Sequence, residues 1–134
     1  MSTSDVPSIL LLENSPTLRK WILTMLALRG IRVLLADNDA DVFRTTENTK
    51  ISLMLVNLNS TGLDGLSFTR KCRQCERLRN IPIVLLTSST ESCAQRHEFI
   101  KAGADQCMMI PLNESTFVKT VFQYIKPSTI PTAH

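Results

Sequence analysis

No apolar stretch in this chain of 134 residues is long enough to span a bilayer: the longest, around Trp21–Leu28, is interrupted by Thr24. The opening MSTSDVP has neither a positive n-region nor an apolar h-region, so no secretory signal is expected and the expected location is the cytoplasm. Cysteine is sparse, and Cys72, Cys75, Cys93 and Cys107 do not make the dense framework of a disulfide-stapled secreted domain. Aromatic residues are 5% of the chain and none interleaves with its most basic segment, which argues against a platform for single-stranded nucleic acid. A net charge of +3 is too small to imply nucleic acid without a clustered patch. What remains is an ordinary globular balance, 43% hydrophobic and 20% charged, in a chain the size of one domain with one core.

The apolar residues fall in short runs between polar loops. Ser8–Leu12, Ile31–Ala36, Ile51–Val56, Ile81–Leu86 and Gln106–Met109 read as strands, the continuous apolar ones suited to burial on both faces. Between them lie helices. The first is capped by Asn14 or Ser15, carries Pro16 in its first turn and stops at Gly30. The others are expected at Asp41–Asn48, Leu66–Leu78, Ser89–Ala102 and Glu114–Lys126, with tails at residues 1–7 and 127–134 around a domain of residues 8–126. Alternating strands and helices indicate an α/β fold, a doubly wound parallel sheet. Its working edge is the carboxyl end of the strands, where Glu13, Asn14, Asn57, Asn59, Thr87, Ile110 and Pro111 lie.

The segments LLLENSPTLRKWI, LMLVNLNSTGLDGLSF, IPIVLLTSS and GADQCMMIPLNE, in that order and spacing, resemble the receiver domain of two-component response regulators. The resemblance implies a (βα)5, CheY-like flavodoxin fold with strand order 2-1-3-4-5. It also implies a phosphorylation site, and there this chain departs from the pattern. Asn57 stands at the acceptor position, Glu13 and Asn14 at the acidic pair, Asn59 at the position of a loop carbonyl ligand, and Ile110 at the lysine. Cys107 replaces the switch aromatic. Thr87 keeps the expected hydroxyl and Pro111 the proline, for which the resemblance implies a cis bond.

An amide is no nucleophile, because its nitrogen lone pair is delocalised and neither end carries charge. One carboxylate and two amides are a poor site for Mg²⁺, which prefers anionic oxygens in octahedral array. The losses also balance: two anionic positions became amides while the buried cation became isoleucine, so neither sign is stranded. The chain is therefore expected to be a pseudo-receiver with no cofactor, weak or absent Mg²⁺ binding and no enzymatic activity. It is expected to work by protein–protein contact, with a kinase, an effector domain or a second copy. The expected surface is the fourth helix, fifth strand and fifth helix, drawing on Gln95, Lys101, Gln106 and Lys119.

Other readings compete. Asp64 is the nearest alternative phosphoacceptor for a conventional phosphorelay regulator. Cys72, Cys75, Cys93 and His97 could form a Cys₃His thiol or zinc sensor, although a lone C-x-x-C more often fills helix and core positions. Asp37-x-Asp39-x-Asp41 resembles half a calcium loop but has Val42 and Asn48 where such loops carry glycine and glutamate, so a capped polar loop is expected. The basic run Arg70–Arg79 could contact phosphate, the bland alternative being a solvated helix face. Trp21 and Leu28 are expected to widen the first helix's apolar stripe against the last helix.

Overall fold

The runs of Leu, Ile, Val and Met become five parallel strands: β1 (Ser8–Leu12), β2 (Arg32–Ala36), β3 (Leu53–Asn57), β4 (Ile83–Thr87) and β5 (Gln106–Met109). The structure, a computed structural model, describes residues 6–88 and 95–125. The helices are α1 (Pro16–Ala27), α2 (Asp39–Asn48), α3 (Leu58–Thr61), α4 (Gly65–Gln74), α5 (Arg96–Ala102) and α6 (Glu114–Tyr124). Strand order is β2-β1-β3-β4-β5, as expected. Cys93 and the segment from Ser89 lie outside the described residues, so α5 is described only from Arg96.

β1, β3 and β4 are buried at every position because helices cover both faces of the sheet. Side chains alternate. Leu10, Leu12, Met54, Val56, Ile83 and Leu85 pack in the layer that holds Val42, Phe68 and Phe99 of α2, α4 and α5. Ile9, Leu11, Leu53, Leu55, Val84 and Leu86 meet Ile22 and Leu26 of α1 and Phe117 and Val121 of α6. Each fully buried Leu or Ile contributes roughly 2 kcal/mol by leaving water. These two layers fix the register.

Local differences from the sequence reading have physical causes. α4 ends at Gln74 rather than Leu78, but Leu78, in the turn that follows, is still fully buried in the layer that holds Phe68. Trp21 does meet α6, with its ring 5.4 Å from that of Phe117. Leu28 does not: it lies past the last turn of α1 and is 72% exposed. Two residues beyond the buried Leu26, a helical side chain has swung about 200° to the opposite face. The Asp37–Asp41 segment is a short loop and helix cap, with α2 starting at Asp39 rather than at Asp41. Asn38 accepts the Asp41 N–H at 2.9 Å, Asp41 accepts the Asp37 N–H at 3.0 Å, and Asp39 pairs with Lys71 at 2.9 Å. The Lys71 hydrogen bond, first among the causes, holds the Asp39 carboxyl below its usual range.

Most of the basic run is exposed on the helix and the turn after it, but Arg73 and Arg77 bond inward. Arg73 donates from Nε to the Gly103 carbonyl at 2.9 Å and from Nη1 to the carbonyls of Leu78, Arg79 and Ile81. Its Nη2 meets Asp105 at 3.0 Å, and Asp105 in turn accepts the Ile83 N–H at 2.9 Å. Arg77 donates to the Phe43 carbonyl at 2.8 Å. Gly103 is required here twice over: its φ is +124°, and a Cβ would lie 2.6 Å from Arg73 Cγ.

Candidate functional site

The register of β1 on β3 sets Leu12 opposite Val56, so the next residues, Glu13 and Asn57, emerge side by side at the carboxyl edge. This is the point where the strand order reverses. Asn57 is both the last residue of β3 and the N-cap of α3, a single helical turn not foreseen in the sequence. Its Oδ1 accepts the N–H groups of Asn59 at 2.9 Å and Ser60 at 3.2 Å. With the oxygen committed to the cap, Nδ2 points at β1 and donates to Glu13 Oε1 at 2.7 Å. The capping network fixes the orientation of the amide.

Glu13 is fully buried, and its second oxygen is also occupied. Oε2 accepts from the Ser60 hydroxyl at 2.7 Å and from the Ser15 N–H at 2.9 Å. Ser60 Oγ accepts the Asn14 N–H at 3.1 Å, closing a bridge from β1 to α3. Arg19 anchors the same residue from outside, donating to the Glu13 carbonyl at 2.8 and 2.9 Å. The Asn14 side chain is exposed and, among the described residues, reaches the Ser60 carbonyl at 3.5 Å. A buried carboxylate is costly unless its lone pairs are satisfied. Here uncharged donors satisfy them.

The remaining expected residues are placed around this pair. Thr87 is buried at the end of β4 and donates to Asn59 Oδ1 at 3.1 Å, where the Ser88 N–H also arrives at 2.6 Å. Asn59 thus acts through its side chain, tying α3 to β4. Ile110 is held against β4 by its N–H to the Thr87 carbonyl at 2.8 Å, and the Ile110–Pro111 bond is cis. Cys107 packs against the opposite layer, under α4 and α5. Asp64 is not gathered into the site: it caps α4, accepting the N–H groups of Leu66 at 3.1 Å and Ser67 at 3.4 Å. Ser60 and Arg19 were missed in the sequence and Ser15 was read only as a helix cap, although Asn57-x-x-Ser60 has the spacing of a helix cap.

A Mg²⁺ ion does not fit these residues. It would need anionic oxygens with free lone pairs, yet both Glu13 oxygens face N–H or O–H donors and its neighbours are amides. The thiols form no alternative centre among the described residues. Cys72 is buried in α4 and burial pushes its thiol up to about 12, which disfavours the thiolate a metal requires. His97 is exposed on α5.

With this geometry in hand, likeness to known proteins adds the family. A model of the response regulator receiver domain matches residues 9–122. PilH of Pseudomonas aeruginosa is 26% identical over 113 residues, covering 84% of this chain and 93% of that protein. The sensor histidine kinase GacS of Pseudomonas protegens is 26% identical over 125 residues, which cover 91% of this chain but only 14% of the kinase. The transcriptional regulator BaeR of Escherichia coli is 29% identical over 126 residues, covering 92% of this chain and 51% of BaeR. Among solved structures, the receiver domain of a Pseudomonas aeruginosa sensor histidine kinase, with a magnesium ion in its active-site cleft, superimposes with a TM-score of 0.75 at 27% identity, covering 89% of this chain and 97% of that one. The chemotaxis regulator CheY4 of Vibrio cholerae reaches a TM-score of 0.78 at 21% identity over 90% of this chain and 99% of its own, a likeness of fold. The chain belongs to the response regulator receiver domain family.

Proposed function

We propose that this receiver domain is a pseudo-receiver: a signalling module that takes no phosphoryl group, binds Mg²⁺ weakly or not at all, and acts by contact with other proteins in the cytoplasm. The observation that carries the reading is the occupation of Glu13. Its oxygens accept from Asn57 Nδ2 and Ser60 Oγ, each at 2.7 Å, where a working site would need them for a cation. The reading takes Asn57 as the acceptor position and Ile110 as the lysine position from the resemblance; Asn57 is the last residue of β3 and Ile110 the first after β5.

The contact surface is the face formed by α5, β5 and α6. Each of its elements has one large apolar side chain exposed, Ile100, Met109 and Phe122, and Lys101 and Lys119 are exposed on α5 and α6. Gln106, expected to be exposed, is half-buried and accepts from the Tyr124 hydroxyl at 3.0 Å, so it positions α6 on β5 rather than meeting a partner. No helix among the described residues is long and apolar enough to cross a membrane.

The test is incubation with a small acyl phosphate and Mg²⁺, followed by intact-mass measurement. The unmodified mass is expected at all times. An adduct of one phosphoryl group would overturn the reading, and its position, at Asp64 or elsewhere, would say which acceptor had been overlooked.

A further inference from the structure

A cleft of about 540 Å³ opens beside Asn57 at the carboxyl edge of the sheet. Leu18, Trp21, Ile110 and Leu112 line it, together with polar residues that include Asn57 and Asn59. Apolar surface dominates, and no described lining residue is ionisable. Glu13 lies beneath, fully buried and spent on its internal donors. A carboxylate, phosphate or ammonium group entering here would lose water without meeting a counter-charge. The volume is that of a small-molecule site, in which apolar walls supply affinity and a few polar groups orient the ligand. Asn59 Oδ1 is committed to Thr87 and Ser88, leaving the NH₂ group as what this residue offers a ligand.

We infer that this cleft binds an uncharged small molecule with a flat apolar body, seated against Trp21, and a carbonyl edge facing Asn59. The inference rests on the proposed reading that the same site takes neither Mg²⁺ nor a phosphoryl group. The chemical class follows from the lining: a planar ring for the tryptophan wall, an acceptor for the amide donor, and no net charge.

The test is an NMR titration of the full chain with 2-quinolone, a neutral bicyclic lactam, and in a second arm with quinoline-2-carboxylate. The lactam is expected to move the Trp21 indole and Asn59 side-chain amide signals saturably, with Kd on the order of a millimolar or tighter for a ligand of this size. The carboxylate should bind at least about tenfold more weakly, and Ile110→Lys, which puts a charge in the apolar wall, should weaken the lactam by a similar factor. Trp21→Leu should do the same; if that variant fails to fold because its contact with Phe117 is lost, Ile110→Lys carries the test. Absence of saturable lactam shifts, equal binding of the carboxylate, or unchanged binding by Ile110→Lys overturns the inference. So would cleft signals that move with protein concentration alone, which would assign the cleft to a second copy. Intact mass after acyl phosphate treatment of the same sample separates the two levels. A silent lactam with no adduct removes this inference alone, whereas an adduct removes the reading beneath it.

Discussion

Asn57→Asp is expected to destabilise the fold by about 3 kcal/mol at neutral pH, since it replaces a buried donor with an acceptor. The amide now gives a hydrogen to Glu13 Oε1 at 2.7 Å, and both residues are almost wholly buried. With Asp in place, two carboxylates would face each other there, while the other oxygen could still cap α3. One carboxyl of such a pair holds a proton above the ordinary carboxylate range near about pH 4. A raised pKa in the folded state gives stability that is present at low pH and lost as pH rises. The deficit should therefore be smallest in acid and grow towards neutrality. Urea unfolding at several pH values checks this, and a deficit independent of pH would contradict it. The double variant Glu13→Gln with Asn57→Asp restores a donor–acceptor pair and should recover more than half of the loss.

The same substitution is not expected to create a phosphoacceptor. Under the proposed reading it supplies a nucleophile but neither a second carboxylate at Asn14 nor a cation at Ile110. Adding Asn14→Asp and Ile110→Lys supplies both, and that triple variant should be labelled by an acyl phosphate at the expense of stability. Ready labelling of the single variant would mean that the missing parts have been ranked wrongly.

A comparable loss, about 3 kcal/mol or more, is expected for Arg73→Met. The guanidinium joins α4 to the carbonyls of Leu78, Arg79, Ile81 and Gly103 and to Asp105, and its side chain is only 21% exposed. The methionine keeps the stem but removes this donor from the carbonyls of Gly103, Arg79 and Ile81, while the Leu78 carbonyl keeps the Ile81 N–H at 3.1 Å. Arg73→Lys should recover a minor part, because an ammonium is a point charge and cannot address a fan of acceptors from one position. Asp105→Asn should cost less than either: one oxygen remains to accept the Ile83 N–H, and the partly exposed ion pair is worth little in water. Chemical denaturation orders the three. Equal stability of the Lys variant and the native chain would show that charge alone, not the fork, holds this corner.

The parts of this structure that the sequence revealed are those governed by long apolar patterns. Runs such as SILLL and IVLLT can be satisfied only by burial on both faces, so their strands and parallel pairing were legible. The order of the strands came from the resemblance rather than from the pattern. α3 escaped notice because it is one turn long and shares Asn57 with the strand before it. Ser60 was missed for the same reason: its hydroxyl reaches Glu13, 47 residues earlier, only once that turn has formed. Among the basic residues, net charge gave no sign that Arg73 bonds inward, since the carbonyls it meets belong to a loop and to the turn after α5. Residue types at the carboxyl edge suggested the altered chemistry proposed above. The hydrogen bonds that replaced it needed the fold.

The central claim is that internal donors have taken the place of a cation at Glu13. Its most direct measurement is a Mg²⁺ titration of the native chain, followed through the Asn57 side-chain amide and the Ser60 backbone N–H by NMR. The account predicts no saturable shift through the millimolar range, with both signals keeping the shifts set by the Glu13 hydrogen bonds. A saturable shift at low millimolar Mg²⁺, present in the native chain and absent in Glu13→Gln, would contradict it.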